Sequence, residues 1–239
     1  MTGEAAALHR RGFAPIIAAM QMFARHDLTL LFRSLADRMV AEQDYLAELD
    51  GEIGDADHGV AMSVGFSAAA KALAEGEREA PALADGMMLA ARALLNEIGA
   101  TTGPLYASAL MRAAQALGPQ AEIPLNRLPE VIAAMSEGIA ARGSSKPGDK
   151  TMIDAWAPAA HAARAGLAAG QDVGRVLADA ASAAAKGAEA TRAMMASKGR
   201  AARLGPRSLG HVDPGAASAA ALLDSMALWV ADRSGRASS

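Results

Sequence analysis

The chain contains no cysteine, which removes disulfides, thiolate nucleophiles and cysteine-ligated zinc together and fits a cytoplasmic protein. Aromatic residues make up only 3% of it, and runs rich in Val, Ile, Tyr and Thr are missing, so an all-β fold is excluded. There is no basic excess either. Lys and Arg number 23 against 26 Asp and Glu, a formal net charge of −3. With so few aromatics to stack on bases, no nucleic-acid partner is expected. No uninterrupted apolar run reaches the roughly 18–20 residues of a membrane span, so no membrane partner is expected.

What the chain does have is helix-forming residue. It is 52% apolar with 13 Met, dominated by Ala beside Leu, Met, Glu and Arg, side chains that lose little rotamer freedom in a helix. At 239 residues it buries roughly 70% of its unfolded surface and needs no covalent staple. Asp27 reads as the N-cap of a first helix over LTLLFRSLADRMVAEQDYLAEL. Further helices are expected near 60–75, 81–98, 104–117, 127–142, 150–167, 172–196 and 215–232. That makes an all-α chain of about eight helices with no strand, and short connections favour an antiparallel array. Near the N-terminus, Arg10-Arg11-Gly12-Phe13 and the APIIAAMQMFA after it are similar to a twin-arginine export signal. The apolar stretch is short, carries Gln21 and ends at Arg25-His26 without a cleavage pattern, so an N-terminal extension is the expectation.

Four breaks between helices are rich in Gly, Asp, Thr and Pro: LDGEIGDADHG (49–59), GATTGPL (99–105), RGSSKPGDKTM (142–152) and SKGRAARLGPRSLGHVDPG (197–215). Glycine-rich polar loops are where a ligand can approach backbone N–H groups, and alternate loops of an antiparallel array meet at one end. Asp50, Asp55 and Asp57 cannot share one face of a regular helix, so a common site needs a loop or a helix start. As hard oxygen donors they suit Mg²⁺ or Ca²⁺, although the spacing is not the EF-hand pattern; solvated acids and helix capping are the plain alternative. His58 could ligate a metal, meet phosphate or ribose, or pack. The carboxylates favour a hard cation, so imidazole ligation ranks last and a phosphate or ribose contact first. Thr101 and Thr102 before Pro104 form either an anion-binding helix start or an ordinary Thr N-cap. Asp149 reads as the cap of a helix near Thr151. Lys198, Arg200, Arg203 and Arg207 are either a phosphate-recognising cluster or a flexible basic loop. No Walker or Rossmann glycine pattern occurs.

In order and at the family's spacing, LDGEIGDADHG, TGPLYA, KPGDKTMIDAW and GRAARLGPRSLGHVDPGAAS closely resemble the L subunit of dihydroxyacetone kinase, the nucleotide-carrying partner of a substrate-binding K subunit. The resemblance runs from about Asp27 to Asp232. It divides the chain into an extension (1–26), a nucleotide-binding helical domain (27–232) and a tail (233–239), the tail expected to be disordered. It implies a barrel of eight antiparallel helices with nucleotide at one end. It assigns Asp50, Asp55 and Asp57 to two Mg²⁺ ions. It assigns His58, Gly59, Val60, Ala61, Thr101, Thr102, Gly143, Met152, Arg200, Asp213, Pro214 and Gly215 to ADP or ATP. In phosphotransferase-linked members, bound ADP is rephosphorylated by a phosphohistidine on a third, phosphocarrier M subunit, whereas ATP is the donor in others. The acceptor is dihydroxyacetone or a similar short ketose on the K subunit, so this chain supplies no catalytic base. A homodimer is compatible with the resemblance. A nucleotide-state sensor docking onto a regulator or another kinase domain is the alternative role, and a metal-dependent phosphohydrolase a distant third. Ala61 stands where the family usually has Asn, and Ala100-Thr101-Thr102 where a glycine-rich, serine-containing turn is common.

Overall fold

The computed structural model describes residues 21–99 and 101–236, so the Arg10-Arg11 motif and Ala100 lie outside the described residues. Helix dominates, as the composition requires. The elements run β1 (Met22–Ala24), α1 (Arg25–Ala41), α2 (Gln43–Ile53), α3 (His58–Glu75), α4 (Leu83–Glu97) and α5 (Thr102–Leu117). They continue with β2 (Glu122–Pro124), α6 (Leu128–Gly143), α7 (Ile153–Ala168), α8 (Val173–Ala190) and α9 (Pro214–Arg236), with short 3₁₀ turns at Leu125–Arg127, Thr191–Ala193 and Ala201–Ser208.

Several boundaries differ from the sequence reading for local reasons. Asp27 is not the N-cap of α1 but its third residue, and its carboxylate accepts the N–H of Ala24 at 2.8 Å, half of a capping box. The long helix expected after it divides at Glu42, whose side chain takes the Arg38 guanidinium at 2.9 Å, and α2 starts one residue later. Two strands occur where none was expected. β1 and β2 pair antiparallel with Phe23 opposite Ile123, and both of those side chains are buried. α8 is capped by Asp172, which accepts from Gly174 N–H at 2.9 Å, and it ends at Ala190, short of the expected 196. α9 runs on to Arg236, into the segment expected to be a tail. Pro214–Arg233 also reaches the length and apolarity of a membrane span, which the sequence reading had not found; 61% of that window is buried inside the protein, as for a core helix.

The helices pack in cyclic order. α1 lies against α3, and α3 through α9 each lie against the next; α9 then returns to α1. α2 stays outside this ring, against α3. Inside it, rings from four different helices touch in series: Phe32 and Phe66 with centroids 6.4 Å apart, Phe66 and Tyr106 at 5.5 Å, Tyr106 and Trp156 at 6.4 Å. Small residues let neighbouring helices approach closely. A Cβ on Gly187 of α8 would sit 2.0 Å from the Asp154 carbonyl of α7.

Candidate functional site

The first loop is built around Asp50, near the end of α2 and only 8% exposed. Its Oδ2 accepts the N–H groups of Asp57, at 3.0 Å, and of His58, at 3.3 Å. A helix start leaves such donors without intrahelical partners, so one carboxylate folds the loop and caps α3. Ala56 takes a left-handed φ of 61° to make the turn. The result brings carboxylate oxygens of Asp50, Asp55 and Asp57 within 4.8 Å of one another, with Asp55 and Asp57 exposed. Burial, then the nearby Asp50 charge, raises the Asp57 carboxyl above its ordinary range. Among the described residues the cation ion-paired with the cluster is Arg200, against Asp55 and 3.4 Å from Asp57. One guanidinium against three carboxylates leaves negative charge over, and the donors are all oxygen. Such a set fits hard divalent cations.

The His58 imidazole is engaged by protein partners. Its ring is buried, Nε2 lies 2.9 Å from Ser218 Oγ on α9, and the Pro214 carbonyl is a second partner. Burial lowers its pKa to about 4, so the ring is neutral. The side chain thus ties the start of α3 to the start of α9, the packing role that the sequence reading ranked below a phosphate contact. Gly59 and Val60 follow in the first turn of α3, where backbone N–H groups point outward. Gly59 has no room for a side chain: a Cβ would lie 1.9 Å from the Gln43 carbonyl.

The third and fourth loops meet beside this. Gly215 approaches Met152, with 3.5 Å from a Cβ built on the glycine to Met152 Cβ. Asp213 accepts from Ala216 N–H at 2.8 Å at the start of α9, and its own N–H donates to Thr191 Oγ1 at 2.9 Å. Burial lifts its carboxyl to about 7, against the lowering pull of that N–H and of Lys150. Asp149 is not a helix cap. It accepts from Lys146 N–H and Ser197 Oγ, which hold its carboxyl below the ordinary range, while α7 begins at Ile153. Asp154, only 4% exposed, folds the third loop by accepting from Gly148 and Thr151 N–H. Gly143 ends α6 beside Leu105 of α5. That neighbour links the second loop to the third, but among the described residues no hydrogen bond joins Thr101 or Thr102 to the other loops, and Thr101 caps α5 without a side-chain bond. Asp154, Ser218 and Lys150 were missed by sequence reasoning. The Ser218 hydroxyl and the Lys150 ammonium are spent on partners far along the chain, whereas the Asp154 carboxylate, in the first turn of α7, is spent within its own loop and so carried a local signal.

A family model described as the DAK2 domain matches residues 52–228. The chain belongs to the DAK2 domain family. Among DAK2 relatives, it is 39% identical over 197 residues to the ADP-binding subunit DhaL of the PEP-dependent dihydroxyacetone kinase of Escherichia coli (strain K12), covering 80% of this chain and 90% of that one. It is 32% identical over 190 residues to the ADP-binding subunit DhaL of the PTS-dependent dihydroxyacetone kinase of Lactococcus lactis subsp. lactis (strain IL1403), covering 80% and 90%. The dihydroxyacetone kinase of C. freundii, solved in complex with AMP-PNP and Mg²⁺, matches with a TM-score of 0.62 and 23% identity. That match covers 95% of this chain, which spans 38% of the kinase chain, and it speaks to the fold alone.

Proposed function

We propose that this DAK2 chain is the nucleotide- and Mg²⁺-binding L subunit of a dihydroxyacetone-type kinase. The observation that carries the reading is the convergence of the Asp50, Asp55 and Asp57 carboxylates within 4.8 Å beside the start of α3, with Arg200 against them. These aspartates would hold two Mg²⁺ ions, which supply charge neutralisation for a phosphoryl group. Around them the nucleotide would meet the His58–Ala61 turn through its backbone, Thr101 and Thr102, Gly143 and Met152, Arg200, and Asp213–Gly215. The cyclic helix order is read as the eight-helix antiparallel barrel, with this end as its mouth. The names of the E. coli and L. lactis relatives favour ADP held as a coenzyme and recharged by a phosphocarrier M subunit over ATP used directly.

Phosphoryl transfer is mainly positioning and electrostatics, so the chain's task is to hold the donor and leave the acceptor hydroxyl to dihydroxyacetone or a similar ketose on a K subunit. The purified chain should be inert toward dihydroxyacetone, and a cognate K subunit with Mg²⁺ should restore turnover. Activity of the lone chain would overturn that division of labour. Asp57→Ala should abolish Mg²⁺-dependent transfer; a variant that still transfers would remove the metal assignment.

A further inference from the structure

Lys150 is buried to 1% exposure and takes a left-handed φ of 58°. Neither is a comfortable state for a lysine: an ammonium is seldom fully buried without partners, and a β-carbon disfavours that backbone region. Its partners are two backbone carbonyls far along the chain, Thr191 O at 2.8 Å and His211 O at 2.5 Å. Those two residues are the stems of the loop that carries Arg200. The stems are cross-tied next to the lysine, Gly210 N–H donating to Arg192 O and Arg192 Nη1 to Gly210 O, both at 2.8 Å. Between them the loop turns at Gly199 and Gly205, both at positive φ; inside it Ala196 N–H donates to Ser208 Oγ at 2.9 Å and Ser197 N–H to Asp149 O at 3.2 Å, so what remains for the lysine is to hold the two stems. Thr191 also receives the Asp213 N–H, which puts Asp213 in the same assembly.

We infer that Lys150 is a positioning residue: its ammonium pins both stems of the Arg200 loop and thereby sets where Arg200 and Asp213 stand. Packing does not account for it, since an apolar side chain would fill the space without the desolvation cost of a buried ammonium. A lysine is suited because its ammonium can give separate N–H donors to two carbonyls at the end of a stem long enough to leave the third loop. The inference rests on the nucleotide reading for what Arg200 and Asp213 would meet, but the loop can be tested by itself.

The experiment is limited trypsin digestion of the full chain, in which Lys198, Arg200, Arg203 and Arg207 are cleavage sites inside the loop. Lys150→Met keeps the apolar stem and loses the ammonium. Cleavage within 198–207 should quicken at least tenfold, with rates elsewhere and the far-ultraviolet circular dichroism unchanged. ADP affinity in Mg²⁺, read by calorimetry, should fall at least tenfold. Lys150→Gln, which keeps one donor group, is the second variant and should fall between. Unchanged loop cleavage, uniformly faster cleavage of the whole chain, failure of both variants to fold, or a loosened loop with unchanged ADP affinity would each overturn the inference. A wild-type chain that binds no ADP, beside a loop that loosens selectively in Lys150→Met, would instead remove the nucleotide reading and leave the pinning in place.

Discussion

His58 shows how one side chain can be placed beside a charged site without taking part in its charge. Its imidazole is enclosed between Ser218 and Pro214, and burial holds it neutral down to about pH 4. In the unfolded chain an ordinary histidine protonates near pH 6.5. A folded pKa below the unfolded one means that the unfolded state binds more protons between those values, so this contribution to stability is lost as pH falls from about 6.5 toward 4. Asp213, raised to about 7, acts with the opposite sign: its unfolded form ionises first, so its contribution declines as pH rises through that window. A differential measurement separates them. The unfolding free energy of the wild type minus that of His58→Gln should shrink by about 2 kcal/mol between pH 7 and pH 5, measured by urea denaturation at each pH. A constant difference would mean that the ring is not held neutral. The three aspartates were legible in the sequence because their type and glycine-broken spacing restrict what they can do. The orientation of His58 was not, because Ser218 lies 160 residues away in the chain.

At the scale of elements, the site depends on how closely α2 and α3 approach, because Asp50 ends one helix and its N–H partners start the other. Gly59 permits that approach, at the Gln43 carbonyl. Gly59→Ala should destabilise the fold by about 1–3 kcal/mol through overpacking, seen as a lower urea midpoint at unchanged slope. Gly51 of α2 is the control. A Cβ there meets only Ala56 Cβ at 3.6 Å, an ordinary contact. Gly51→Ala should therefore be neutral or stabilising by up to about 1 kcal/mol. Equal losses at both positions would sink the close-approach argument. The sequence announced these helices well, since apolar periodicity and Gly breaks are local. It missed the division at Glu42 and the β1–β2 pair, because three-residue strands have no periodicity of their own and exist only by pairing across the chain.

For the whole molecule, the contact between α1 and α9 closes the cycle of helices. Arg233 stands at that seam. It pairs with Asp27, donates to the Met22 carbonyl at 2.9 Å and lies 5.5 Å from the centre of the Trp229 ring. One guanidinium therefore joins α9 to both β1 and the first turn of α1. Arg233→Met should cost about 2 kcal/mol, since it leaves the Asp27 carboxylate, only 10% exposed as a side chain, without its cation. In a chain of this size that is a fall of about 4–8 °C in Tm, measured by calorimetry. A change below 1 °C would show that the seam is held by apolar packing alone.

Composition by itself determined that the chain is helical, because alanine-rich stretches with few β-branched and aromatic residues leave a helix as the favoured way to satisfy the backbone. Residue type and near-neighbour spacing picked out Asp50, Asp55 and Asp57 as one oxygen-donor group, while Arg200 was singled out from its basic neighbours only by the family resemblance. Only the tertiary structure decided which polar groups stand at the Asp50–Asp55–Asp57 cluster and which are spent inside. The burial of Lys150, the neutrality of His58 and the raised Asp213 carboxyl all follow from desolvation by segments distant in sequence. Desolvation is a property of what surrounds a group, and the surroundings exist only once the chain has folded.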